Sequence, residues 1–407
     1  MAFLKQYENW FSRTFIIFFI LFFLFQPLYK IEFLQFSELR IRAVLKIVFL
    51  FFLLVSIILL GAKKQVVFLG LGMFLCFIFG QLFLNDKFTI FNKNIFLEEL
   101  VAGDIYIGIK YLFIFVVVAV VEKIKHKEKL VKNIIDVFNK IIIINTIFII
   151  VGLLFSIDDF RSYPQSSLRF GNQGLLDLAG ESLFVYIIAV IINYFRYIKT
   201  KNVIMLIVSI MGAVLLGKKA VFLFLSILLL IHLWYLNKKT ILNVILLLSS
   251  VFIFFADSLM KLVASVSPFW KIIYERYGLV STIFSRRDVL LMDVLDYIGE
   301  HWYYLNYLFG GIDYFNKRSE FGFFDLFLAF GIIGFLIYVI FLKQYFLKDQ
   351  EKVVVYLILA LLFVEALSGG LFINVVPMVL FYLMAQYLKN NNINEAKNIF
   401  NSNSSSR

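Results

Sequence analysis

The sequence has a single cysteine, Cys76, set in an apolar run. One thiol excludes both a disulfide framework and a thiolate metal site built within one chain. Histidine is almost as scarce, with 3 residues, and no cluster of His and Cys has metal-ligand spacing. No glycine-rich phosphate loop and no nucleophile elbow is present. Charge is short too. Charged residues make up 16% of the chain, against roughly 25% in a soluble domain. What fills the space is apolar: 62% of the 407 residues are hydrophobic, and the mean hydropathy is +0.91.

Apolar runs of about 17–20 residues recur along the whole length, each long enough to cross a bilayer as a helix. A transmembrane barrel is excluded, because its strands alternate apolar and polar residues over about ten positions. The chain therefore reads as an all-α polytopic membrane protein of about twelve spans. These are 14–29, 43–60, 65–84, 105–121, 138–155, 178–195, 203–216, 220–236, 241–256, 323–342, 353–370 and 372–388. The first lacks a small-residue cleavage site and reads as a retained span. Residues 1–407 form one integral membrane domain, with 257–320 as its one large loop and 389–407, rich in Asn and Ser, as a disordered tail.

Lysine and arginine in the short loops set the orientation. Glu122 to Lys140 is the strongest inside marker, supported by Lys63–Lys64, Arg196/Lys199/Lys201, Lys238–Lys239 and Lys343/Lys348/Lys352. With twelve spans both termini are cytoplasmic, and the large loop is extracytoplasmic. The net charge of +12 fits topology and contact with anionic membrane lipids rather than nucleic acid.

Some charges fall on the opposite side. Lys218–Lys219 sits in the tight turn between two spans, either snorkelling to the interface or serving an outer anionic ligand. The preceding outer loop carries Arg161 and Arg169, followed by Gly171-Asn172-Gln173-Gly174. Glu181 lies about one turn inside the sixth span, where a carboxylate is either paired or functional.

The longest polar interruption runs from Ser281 to Gly334. Ser285-Arg286-Arg287-Asp288 matches a capping box, with Ser285 as N-cap of an amphipathic surface helix. Two arginines in a first helical turn oppose the helix dipole. They make sense where an anion sits at that end, or where they meet lipid phosphate or Asp288. His301 follows, then an aromatic cluster of Trp302, Tyr303, Tyr304, Tyr307 and Tyr314. These rings suit an interfacial belt and equally a sugar. Glu320 and Asp325 then frame a span bearing Gly331 and Gly334, and Asp325 lies just inside its apolar helix.

Taken in order, these parts resemble the Wzy-type O-antigen and capsular polysaccharide polymerases, grouped with the O-antigen ligases. Four patterns over about residues 140–345 carry the resemblance. They are Arg169-Phe170-Gly171-Asn172, with an arginine–ten residues–glycine spacing to Gly180; Leu216-Gly217-Lys218-Lys219-Ala220, with lysine where the family has arginine; Ser285-Arg286-Arg287, followed by Leu308-Phe309-Gly310-Gly311; and Glu320, Asp325 and Gly331-Ile332-Ile333-Gly334. The histidine that ligases carry before the last glycine-bearing helix is absent, which favours a polymerase.

The resemblance implies a glycosyltransferase of GT-C-like architecture in the bacterial cytoplasmic membrane, acting in lipopolysaccharide, capsule or exopolysaccharide synthesis. Its substrate would be an undecaprenyl diphosphate-linked oligosaccharide, with a chain-length regulator as a further partner and neither cofactor nor metal. Arg169, Lys218, Lys219, Arg286 and Arg287 would hold the leaving diphosphate. Glu320, then Asp325, then His301 would serve as the catalytic base. Trp302, Tyr303, Tyr304, Tyr307 and Tyr314 would meet the glycan. A ligase using a different acceptor, a lipid-linked oligosaccharide flippase, and a non-enzymatic transporter or channel are the alternatives.

Overall fold

A computed structural model describes residues 2–28, 41–84, 104–163, 169–176, 179–236, 258, 261, 268–314 and 317–404. Every regular element among them is helical, apart from one isolated β-bridge between Arg161 and Asn172. The first eight helices are α1 (Ala2–Leu28), α2 (Ile41–Leu60), α3 (Lys64–Leu82), α4 (Asp104–Val121), α5 (Lys127–Leu154), α6 (Ala179–Thr200), α7 (Ile204–Leu215) and α8 (Lys219–Leu236). Then come α9 (Pro268–Phe284), α10 (Arg287–His301), α11 (Tyr304–Phe309), α12 (Gly322–Leu342), α13 (Lys352–Ser368) and α14 (Val375–Ser404).

A helix covers each apolar run of the sequence except 241–256, which lies outside the described residues. Among the described residues, five segments are long and apolar enough to cross a membrane: Gln6–Phe25, Lys64–Leu82, Lys127–Leu154, Gly180–Thr200 and Gly322–Leu347. In the bilayer core a helix satisfies its backbone polar groups internally, and that is why such runs are helical. Two segments extend beyond the composition-based reading. The basic stretch 122–140 is helical from Lys127 and continues into its span as α5. The α14 helix carries on through the polar tail to Ser404.

The α6 helix is the hub. Every residue from Glu181 to Phe195 is buried, as expected of a helix apolar on all sides and wrapped by others. Its neighbours include α7, α8 and α14, while α12 lies along α3. Gly334 of α12 faces Cys76 of α3, so a small residue there lets the two helices approach.

Glycine also decides where loops meet helices. The α12 helix is bent at Gly331, which has φ +63. A Cβ there would stand 2.3 Å from the Leu308 carbonyl, and one on Gly310 would stand 2.5 Å from the Gly331 nitrogen. The α11 helix is thereby locked onto α12 backbone to backbone. Asn306 reinforces the lock, its amide donating to the Gly80 and Gly310 carbonyls at 2.9 and 2.7 Å.

Candidate functional site

The residues singled out in the sequence fall into two groups, one of which converges. The loop before α6 folds back on the turn between α7 and α8. The Ser162 N–H donates to Gly171 O, Asn172 N–H to Leu215 O, and the Ser162 hydroxyl to Leu216 O at 3.0 Å. Gly171 and Gly217 lie face to face. A Cβ on Gly171 would meet Leu216 O at 2.2 Å, and one on Gly217 would meet Phe170 O at 2.2 Å. Two motifs 46 positions apart in the chain (171 to 217) are in this way one structural unit.

This unit presents Arg169 and Lys219 to the helical hairpin α9–α10. The Arg169 guanidinium stacks over Phe269 at 3.6 Å and Tyr163 at 4.6 Å, and its buried Nε has no hydrogen-bond partner. Burial pulls Arg169 below the usual guanidinium range. The Lys219 ammonium lies 3.0 Å from the centre of the Trp270 ring and donates to the Thr282 carbonyl. Lys219 is within electrostatic range of both Arg169 and Arg287. Arg287 in turn pairs with Glu320, Nε to Oε2 at 3.4 Å, and Arg318 pairs with Glu320 from the other side at 3.1 Å. Lys219 thus lies between Arg169 and Arg287 electrostatically, and Arg287 joins this group to the Glu320 carboxylate.

The capping box expected at 285–288 does not form. Arg286, rather than Ser285, is the N-cap of α10, and it makes no side-chain cap bond. Ser285 and Arg286 both adopt left-handed conformations, φ +57 and +68, which turn the chain sharply from α9 into α10. The Ser281 hydroxyl takes Asp288 instead. The same turn separates the two arginines: Arg287 points inward to Glu320, while Arg286 is exposed and stacks over Tyr277 at 4.5 Å.

Lys218 and Lys219 diverge as well. The Lys218 ammonium is buried and donates to the Ser182 hydroxyl of α6 at 2.8 Å. Burial lowers its pKa from 10.5 to about 7. Between those values the unfolded chain binds the extra proton, so stability climbs with pH. The thermal midpoint of the detergent-solubilised protein is expected to rise by several degrees more between pH 7 and pH 9 in wild type than in Lys218→Met. Equal rises in both would rule out a depressed lysine.

Asp325 is held in a hydrogen-bond network of its own, within electrostatic range of Arg318. Its Oδ1 accepts from the Ser319 N–H and hydroxyl at 2.8 and 2.7 Å, and its Oδ2 from the Tyr314 hydroxyl at 3.2 Å. The Tyr314 hydroxyl also meets that of Tyr111 at 3.1 Å. Glu181 is buried and lies 3.9 Å from Lys46 of α2. His301 is at the far end of α10 from Arg287, on the order of 20 Å away by helical rise; it faces Tyr297 and Glu300. Of the aromatic cluster, Tyr303, Tyr304 and Tyr307 are exposed. Tyr314 is buried, and the Trp302 indole N–H donates to Gly311 O at 2.7 Å.

Sequence reading passed over Glu365. This carboxylate is buried in α13 and accepts from the Leu371 N–H at 2.8 Å and the Phe372 N–H at 3.4 Å. Gly322 lies against its side chain, and Gly369 against the backbone of Glu320. Glu365 therefore fixes the turn that supports Glu320 from below. Its signal was available, since it is an acid inside an apolar run.

No protein-family model, curated protein or solved structure matches the chain. Among the described residues, no group of three or more His, Cys, Asp or Glu side chains is arranged to hold a metal ion. What the converging residues offer is a cationic site for an anion with one carboxylate at its edge.

Proposed function

We propose that the chain is a polysaccharide polymerase of the O-antigen and capsule type. It spans the bacterial cytoplasmic membrane about twelve times, with both termini inside and the loop 257–320 outside. It transfers a growing glycan from undecaprenyl diphosphate to the non-reducing end of another lipid-linked unit. The supporting observation is the grouping of Arg169, Lys219 and Arg287, the last paired with Glu320, with a buried Arg169 Nε lacking any hydrogen-bond partner. A buried donor without an acceptor is costly, and a diphosphate oxygen supplies the acceptor.

In this reading an acceptor hydroxyl attacks the anomeric carbon of the donor sugar. The bond from that carbon to the diphosphate oxygen breaks, and the electron pair leaves with the diphosphate. Charge grows there in the transition state, where preplaced cations stabilise it most. Glu320 takes the hydroxyl proton. It is held at φ +61 between Arg287 and Arg318, an orientation set by the fold rather than by substrate.

Glu320→Gln is expected to lower polymer formation about 100-fold or more, the usual scale for losing a general base. Asp325→Asn should instead reduce the amount of folded protein in the membrane, because Asp325 accepts three hydrogen bonds. The decisive experiment is deletion followed by examination of lipid-linked glycans. Single repeat units should accumulate at the outer face. Full-length polymer on the carrier would mark a ligase, and units trapped at the cytoplasmic face a flippase; either would overturn the proposal.

A further inference from the structure

The first half of α9, residues 268–277, ends where Gly278 interrupts the helix with φ +78. Its residues divide by face. Phe269 and Trp270 precede Ile273 by four and three positions, so the three share one side. Lys271, Ile272, Glu275 and Arg276 are exposed, and Lys271 approaches Glu275 to 4.0 Å. An apolar stripe of this kind ordinarily packs on other apolar side chains. In this one only Ile273 is buried. The two rings are half-buried, stand edge to face with centres 4.8 Å apart, and meet charged side chains. Arg169 lies over Phe269 at 3.6 Å and Lys219 over Trp270 at 3.0 Å.

Cations around this site are held in two ways, and the two leave different charges behind. Arg287 is held by the Glu320 carboxylate, which offsets its charge. Arg169 and Lys219 have no carboxylate partner among the described residues and are held by rings. The negative face of an aromatic ring attracts a cation without neutralising it. A guanidinium stacked on a ring also keeps its N–H donors, which lie in its own plane, clear of that contact. The buried Arg169 Nε, which has no hydrogen-bond partner, is such a donor. Lys219 is within range of the like charges of Arg169 and Arg287, which push the ammonium away. The Trp270 face and the Thr282 carbonyl hold it in place. Long side chains fixed before an anion arrives lose little freedom when it binds. Tyr277 and Arg286 make a third such pair on α9, but both are exposed.

We propose that Phe269 and Trp270 are positioning residues for the anion site. Phe269 fixes the Arg169 fork and Trp270 the Lys219 ammonium, and both leave the charge available to a phosphate-bearing ligand. That this ligand is a lipid diphosphate rests on the polymerase reading; the platform itself does not.

The test alters the electron density of the rings and keeps their shape. Phenylalanines or tryptophans of increasing fluorine content are placed at position 269 or 270 of the full-length protein. Binding of undecaprenyl diphosphate and of inorganic diphosphate is then measured in detergent. Affinity should fall stepwise with each fluorine, reaching about five- to thirtyfold for the fully fluorinated ring, the scale of a cation–π contact removed from water. The thermal midpoint of the free protein should change little. Trp270→Phe should bind nearly as wild type, and Trp270→Leu should resemble the fluorinated ring. Tyr277→Leu should leave binding unchanged. Affinity that is independent of fluorine content overturns the proposal, because a ring that merely packs keeps its shape throughout. An equal loss from Tyr277→Leu does so too. Stepwise loss for inorganic diphosphate, with no preference for undecaprenyl diphosphate over it, keeps the platform and counts against the polymerase reading. Wild type that binds neither probe overturns both.

Discussion

Arg287→Ala is expected to reduce glycan polymer about 100- to 1000-fold, the range seen when one preplaced donor to a developing anion is removed. The protein should remain in the membrane at near wild-type amount. Arg287 lies at the first position of α10, and only its side chain reaches Glu320. Glu320 keeps Arg318 as a partner when Arg287 is gone, so the carboxylate is not stranded. Arg286→Ala should behave differently. Arg286 is exposed, turned toward Tyr277 and held in a left-handed conformation. Its loss should change polymer length only slightly, and Arg286→Gly should be at least as stable as wild type because glycine accepts that conformation freely. The measurement is a polymer ladder beside an immunoblot of the membrane fraction. Wild-type ladders from Arg287→Ala would remove it from the site. Equal losses at both positions would mean that the arginines act as a surface pair.

Gly217→Ala should remove most of the protein from the membrane. Two effects are superimposed at that position, and Gly61→Ala separates them. Both glycines have positive φ, +66 at Gly217 and +78 at Gly61. Forcing alanine into such a conformation costs about 1 kcal/mol. A Cβ on Gly61 meets nothing within 4 Å, whereas one on Gly217 meets the Phe170 carbonyl at 2.2 Å. Backbone cannot rotate away as a flexible side chain does, so the loop carrying Arg169 must lift off the turn carrying Lys219. Overpacking of a well-packed site costs about 1–3 kcal/mol or more. Gly171→Ala, which meets Leu216 O from the other side, should match Gly217→Ala. Equal thermal midpoints for Gly217→Ala and Gly61→Ala would show that the interlock is not tight.

The helices were legible in the sequence because their signal is uniform: long apolar runs have few folding options in a bilayer. The site was legible only as a set of residue types. Lys218 and Lys219 are adjacent in sequence, yet a helix start between them sends one toward Ser182 and the other toward Trp270. Arg286 and Arg287 part for a similar reason, since two consecutive left-handed residues reverse the chain just before α10. Ser285 and Asp288 have capping-box spacing, but Ser281 competes for Asp288 and wins. Lys46, Lys110 and Glu365 obey the rule that flagged Glu181 and Asp325. They were passed over because each stands alone in its run, without a motif around it.

The hydrogen-bond chain Tyr111–Tyr314–Asp325–Ser319 ends one residue before Glu320. The position of Glu320 is consequently set from the first turn of α12 and from α4, with Tyr314 the one member of the aromatic cluster that takes part. Tyr303, Tyr304 and Tyr307 lie exposed outside this clamp. Substitution of those three side chains is therefore expected to change the outer surface while the carboxylate stays where it is.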